Sequence, residues 1–432
     1  MTDSSRHDSM AALKHPYVRA LIIGRVASAI GMQFVSVAVG WELYERTGDA
    51  WALGLVGLIQ VIPVLALMLP AGNAADVYPR RHIAMAAQAV LAIASLGLAV
   101  VSWMQAPVEI VYGLLLITGV GRAFSMPATS TMLPQLIEPR QYANANAWTM
   151  TCQQVASVTA PALCGYLIWL SGAATTSYAV AGVGQLVHIA MLATLPVVAP
   201  QARAGARTVM DLLAGVLFIR RQPIFLSAIT LDLFAVLLGG ATALLPVYAK
   251  DILQVGPDGL GLLRAAPSLG AMVTAYIATR IPPWERPGRV LMMMVAAFGV
   301  ATVGFGLSRD MTLSLVCLFF IGASDSISMV IRHTLQQVIT PDHLRGRVAA
   351  TSSVFIGLSN ELGAFESGAV AALFGAVVSV VGGGIGTLVV VTIVALLCPA
   401  LAKIGPLHTL RPAAEPVEAE AVTEGVVKPA AV

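Results

Sequence analysis

The chain has 432 residues, 57% hydrophobic and only 11% charged, with a net charge of +3. A soluble domain carries about 25% charged residues, so water could not solvate such a surface, whereas lipid could. The small net charge does not argue for a nucleic-acid partner, and four cysteines without CxxC spacing or a neighbouring histidine cluster give neither a disulfide framework nor a metal site.

Met1 to Pro16 is polar and lacks the succession of charged, apolar and small residues that marks a cleaved signal. From Val18 onward the chain is a series of apolar runs. A membrane-spanning helix needs about 20 mostly apolar residues. Twelve runs qualify: 18–43, 51–71, 83–104, 108–131, 145–170, 174–198, 223–249, 258–280, 288–308, 311–331, 348–375 and 379–403. Only Arg309 and Asp310 separate the ninth from the tenth. Run length and the absence of two-residue alternation select helices over strands.

The spacing divides the chain into a cytoplasmic N-terminal segment (1–17), a six-helix bundle (18–198), a cytoplasmic linker (199–222), a second six-helix bundle (223–404) and a tail (405–432) rich in Ala, Pro, Val and Glu that is expected to be disordered. With both termini in the cytoplasm, nineteen of the 25 Lys and Arg residues fall on inner segments or inner span ends, three on outer segments and three within spans. That asymmetry is the positive-inside pattern. The halves also repeat: LPQLIEPRQYANANA at 133–147 and LQQVITPDHLRGRVA at 335–349 each follow the fourth span of their half. Two repeated six-span halves suit a central site with alternating access.

After the second span the chain reads Gly72-Asn-Ala-Ala-Asp76-Val-Tyr-Pro-Arg80-Arg81. This loop resembles the signature loop of the major facilitator superfamily, with Val77 and Pro79 in place of the usual basic residue and Gly. The resemblance implies an all-α integral membrane fold, twelve transmembrane helices in two pseudo-symmetric bundles around a central cavity. It also implies that Asp76 meets the start of the eleventh span and locks the cytoplasmic side; the alternative is that Arg80 and Arg81 only fix topology. Ala160-Pro161-Ala-Leu-Cys-Gly165 in the fifth span resembles the Gly-Pro element of antiporting exporters, with Ala160 and Cys164 where Gly is usual. Gly121–Pro127, Leu231–Val236, Gly239–Pro246, the stretch Leu344-Arg345-Gly346-Arg347-Val348 and Ser359–Gly363 are similar to a bacterial branch that includes the enterobactin exporter and drug exporters.

A charge at mid-membrane costs several kcal/mol, from about 2.5 upward, so ionisable residues there are functional candidates. Seven stand out: Arg25, Arg122, Asp232, Arg264, Asp325, Glu361 and Glu366. Arg25 and Asp232 lie roughly 10–15 Å from the cytoplasmic end of their spans at a rise of about 1.5 Å per residue, and Arg122 and Asp325 reach comparable depth. Two arrangements fit. The arginines of one half face the aspartates of the other as a gate opened by protonation or by a ligand, or each half pairs its charges internally. In the eleventh span Ser352, Ser359 and Glu366 form a polar stripe, and Glu361 lies about 140° from Glu366. Glu366 is expected toward the cavity, within reach of Arg264, and Glu361 against neighbouring helices.

No Walker, GxSxG or HExxH pattern occurs, so neither an ATP-driven pump nor an enzyme is expected, and no cofactor. The leading expectation is a proton-coupled exporter of an amphipathic small molecule such as a siderophore or drug, multi-pass in a bacterial inner membrane and monomeric as superfamily members often are. An importer on the same fold, or a non-transporting sensor or scaffold, are the rivals.

Overall fold

The computed structural model describes residues 10, 12–130, 132–198, 209–282, 284–342 and 344–407. The first ten residues of the expected linker and nearly all of the expected tail lie outside the described residues.

Among the described residues twelve long helices follow the twelve apolar runs: α1 (Pro16–Thr47), α2 (Ala50–Val77), α3 (Arg80–Trp103), α4 (Val108–Ser130), α5 (Pro139–Ser171), α6 (Thr175–Ala193), α7 (Pro223–Ile252), α8 (Gly256–Ala278), α9 (Pro287–Leu307), α10 (Met311–Ile339), α11 (Arg345–Phe374) and α12 (Ala376–Leu397). A further helix, Val209–Arg221, lies in the linker. Local chemistry fixes the tight reversals. Gly48 ends α1 in the left-handed region at φ 63° with its N–H on the Tyr44 carbonyl, and the next residue, Asp49, caps α2 by accepting from the Trp51 N–H at 2.8 Å. Asp310 does the same for α10, accepting from the Leu313 N–H at 2.8 Å. The two residues between the ninth and tenth runs therefore are a true boundary.

Eleven of these helices are long and apolar enough to cross a membrane. The remaining one, α11, has the length but not the hydropathy. Ser352, Ser359, Asn360, Glu361, Glu366 and Ser367 dilute it, and a helix so dressed is sheltered by its neighbours rather than by lipid.

Two runs differ from expectation. The seventh is not one continuous helix: regular α-helix stops at Leu238, a 3-10 turn covers Ala241–Leu244, and a π turn covers Tyr248–Ile252. Gly239 and Gly240 weaken the helix, and Pro246 lacks an N–H to continue the ladder. The tenth extends eight residues past its expected end, to Ile339, which carries Arg332 into the bundle, where it is buried.

Helices α1–α6 form one half and α7–α12 the other, with α2 against α11 and α5 against α8 across the seam. The molecule has two faces. The linker face carries the linker helix, the start of α1 and the α2–α3 turn; the far face carries the α1–α2, α3–α4, α7–α8 and α9–α10 turns. The apolar core divides accordingly. Toward the far face a single cluster joins both halves, with Leu43, Tyr178 and Leu53 of the first half beside Leu244, Tyr248 and Phe305 of the second. Toward the linker face there are two clusters, one confined to each half: Val18, Leu21, Ala84 and Leu192 in the first, Phe225, Leu291, Leu335 and Val394 in the second. The halves are joined at the far face and part toward the linker face.

Candidate functional site

Between the halves lies a cavity of about 370 Å³, lined from α1, α2, α4, α7, α8 and α11. Its polar lining comprises Gln33, Ser36, Gln60, Thr118, Arg122, Thr242, Arg264, Asn360 and Glu361. Two contacts cross it from one half to the other. Arg122 donates to the Gln60 Oε1 at 2.6 Å and to the Glu361 carboxylate at 3.2 Å. Arg264, from the second half, donates to the Ser36 hydroxyl at 2.6 Å in the first.

This corrects the expected facing of charges. Arg122 meets Glu361, not Asp325, and the cavity-facing glutamate of α11 is Glu361, not Glu366. Glu366 instead accepts from the Ser367 hydroxyl at 3.4 Å, and Arg264 does not reach it. The physical reason is the rotation of α11 set by small residues on α2. A Cβ on Gly57 would lie 2.6 Å from the Glu361 carbonyl, and one on Gly368 would lie 2.5 Å from the Gly54 Cα. Only with glycine can the two backbones approach so closely, and that contact turns Glu361 toward Arg122. The two glutamates do lie on different faces, as their spacing requires.

Asp232 and Asp325 stay within the second half. Both pair with Arg332: Asp232 in close contact, Asp325 at 3.5 Å. Arg332 also donates through Nε to the Ser328 carbonyl at 3.2 Å. A second cavity of about 90 Å³ opens beside this triad, lined by Asp232, Asp325, Arg332, His333, Gln336, Ser352 and Asn360. Asn360 lines both cavities. Of the two arrangements open from sequence, these aspartates take the internal one. Arg332 lies one residue past the expected end of the tenth run and so is not among the seven intramembrane candidates; its spacing of seven from Asp325, two turns along one helix face, is the available signal. Arg25 is likewise internal to its half. It donates to the Thr129 carbonyl at 2.6 Å, in the last turn of α4, a favourable place for a cation.

In the signature loop Asp76 and Arg80 contact each other, and Arg81 reaches the end of α6. Asp76 lies 3.7 Å from Arg80, and Arg80 Nε donates to the Ala75 carbonyl. Arg81 donates to the carbonyls of Leu195 (2.6 Å) and Ala193 (2.8 Å), closing the end of α6. Gly72 is buried in α2. At the start of α11, Arg345 pairs with Asp342 at 2.9 Å, and Gly346 has open space around it, while Arg347 passes its carbonyl to the Thr351 hydroxyl. The α5 element sits in the seam. A Cβ on Gly165 would lie 2.3 Å from the Pro257 carbonyl, and one on Gly261 would lie 2.6 Å from the Pro161 carbonyl; Ala160 is fully buried.

The far face carries a cluster that the sequence did not flag. The Tyr44 hydroxyl donates to Asp251 across the seam. Lys250 Nζ donates to the Glu45 carbonyl at 3.3 Å and stands 5.6 Å from the centre of the Tyr44 ring. Lys250 and Asp251 both belong to the π turn of α7. Nothing in the linear pattern places that turn against α1.

Residues 7–423 match the family model described as transmembrane secretion effector. The chain is 26% identical over 377 residues to the enterobactin exporter EntS of Shigella dysenteriae serotype 1 (strain Sd197), covering 87% of this chain and 90% of that one. EntS of Escherichia coli O157:H7 (strain EC4115 / EHEC) is also 26% identical over the same shares. In fold it is similar to a bacterial homolog of the human lysosomal transporter Spinster in an inward-facing, occupied conformation (TM-score 0.69, 14% identity, 89% of this chain and 96% of that one). The nucleoside transporter NupG is similar too (TM-score 0.65, 12% identity, 91% and 100%). The chain is thus a multi-pass membrane transporter of the major facilitator superfamily and belongs to its transmembrane secretion effector family.

Proposed function

We propose that this protein exports an amphipathic small molecule, of the siderophore or drug type, in exchange for protons by alternating access. The observation that carries the reading is the central cavity bridged from half to half by Arg122–Glu361 and Arg264–Ser36. A ligand that enters it competes for contacts that hold the halves together, which is what links binding to a change of access. Similarity to EntS, an exporter of enterobactin, supports outward transport and a siderophore-like cargo.

The linker face is taken as cytoplasmic, supported by the excess of Lys and Arg there, and the membrane as the bacterial inner membrane. The protein works as a monomer in this reading. With the far face sealed, the cavity loads from the cytoplasm. In the closed state of the linker face, Asp76 meets the start of α11, beside Arg345 and Arg347. Proton coupling is supported by the triad in the second half. Two carboxylates share one guanidinium, Arg332, so one negative charge is left over, and a proton neutralises it. Asp325, more loosely held and 39% exposed, is the one that exchanges it.

Transport into everted and right-side-out vesicles, with a panel of siderophores and dyes and an imposed pH gradient, tests this. Uptake into everted vesicles with proton release is expected. Uptake only into right-side-out vesicles would identify an importer, and active transport of any cargo without proton movement would overturn the coupling.

A further inference from the structure

Among the described residues three charged side chains line the central cavity, Arg122, Arg264 and Glu361. Two are positive and one negative. Glu361 interacts electrostatically with both arginines but is hydrogen-bonded only to Arg122. Arg264 has a neutral hydroxyl, Ser36, as its side-chain partner, and among the described residues no carboxylate lies within ion-pair distance of it. The cavity therefore holds one positive charge in excess, at a depth where an uncompensated charge is costly. The remaining lining supplies amide and hydroxyl groups beside an apolar wall of Val35, Leu53, Val56 and Ala364.

We propose that the cargo is an organic monoanion, an apolar body bearing a carboxylate or sulfonate, whose charged group binds Arg264 and takes the place of Glu361 on Arg122. A guanidinium presents paired N–H donors that match such an oxyanion. The apolar wall accepts the body. The exchange has a mechanical result: the anion releases the ion pair that joins α4 to α11 across the halves, so only a cargo with this charge frees the seam. The inference rests on the transport reading for its biological meaning, but its test is a binding measurement that does not require transport.

The full chain is placed in lipid nanodiscs and titrated with 8-anilino-1-naphthalenesulfonate. N-phenyl-1-naphthylamine, the same aryl skeleton without the sulfonate, is titrated alongside, with empty discs subtracted. The sulfonate is expected to bind saturably and about tenfold more tightly than the neutral amine, and Arg264→Gln to remove that preference, about one charge-assisted contact. Arg264→Lys, which keeps the charge, should retain part of it. Glu361→Gln should tighten sulfonate binding severalfold, because it removes the competing carboxylate; a purely structural Glu361 would give weaker binding on substitution. Equal affinity for the two probes, sulfonate binding unchanged by Arg264→Gln, or no sulfonate binding above empty discs would each overturn the proposal. Vesicle transport of a neutral or cationic cargo with intact proton exchange would overturn it while leaving the transport reading standing. Sulfonate binding without transport of any cargo would do the reverse.

Discussion

Gly165 of α5 and Gly261 of α8 meet across the seam so closely that a Cβ on Gly165 would lie 2.8 Å from the Gly261 Cα. No side chain fits there without separating the two helices. Gly165→Val is therefore expected to weaken the far-face closure, with an overpacking penalty of about 1–3 kcal/mol. Spin labels at Gln105 and Arg309, on far-face turns of opposite halves, should report a longer distance in the variant. An unchanged distance distribution with unchanged thermal stability would contradict the close approach.

The Tyr44 hydroxyl and Asp251 form a charge-assisted hydrogen bond at the same face. Such bonds contribute about 1.5–3 kcal/mol. Tyr44→Phe keeps the ring beneath Lys250 and removes only the donor. The same label pair should show a larger far-open population, smaller than that caused by Asp251→Ala, which disturbs the turn as well. Equal populations in wild type and Tyr44→Phe would remove this contact from the closure.

Breaking a buried pair by deleting one partner costs about 3–5 kcal/mol. Arg332→Gln leaves Asp232 and Asp325 facing each other without a cation, so melting in detergent should fall more than for any single aspartate change. Asp325→Asn should leave the melting temperature near wild type and abolish the pH dependence of transport. Pairing it with Arg332→Gln should recover part of the lost stability. If Asp325→Asn transport still followed pH as in wild type, the proton would have to bind elsewhere.

Reversal of charge across the cavity discriminates between the pairs. Arg122→Glu combined with Glu361→Arg should recover stability relative to either single variant, by about 0.5–3 kcal/mol of coupling. Arg122→Asp combined with Asp325→Arg should show no such recovery, since those groups do not meet. Double-mutant cycles on melting temperature read both.

The helix count and the two halves were legible because they follow from run length and from where Lys and Arg sit, both local properties. The division at Arg309 and Asp310 was legible too, since a capping aspartate is a chemical stop. The helices that carry the charges were legible; which charges pair was left open between two arrangements, and the facing of Glu361 and Glu366 was not legible. Depth depends on position along a helix, whereas partnership depends on rotation about it. For α11 that rotation is set by Gly54 and Gly57 on a helix some 300 residues earlier in the chain, which no periodicity in α11 itself encodes. Arg332 escapes a count of intramembrane charges for another reason: a polar extension such as 332–337 looks like an inner loop until a neighbouring carboxylate, Asp232, is known to receive it. The π turn of α7, with Lys250 and Asp251, arises from the Gly239–Gly240 interruption and Pro246, a combination that marks a break but not its new direction.

The single core at the far face and the paired cores at the linker face also make the protein sensitive to temperature. Parting the far face would expose part of the apolar cluster that joins the halves there. Apolar association of this kind loses strength on cooling. The sealed arrangement should therefore be least favoured in the cold, and the Gln105–Arg309 separation should broaden as the sample is chilled, before any ligand is added.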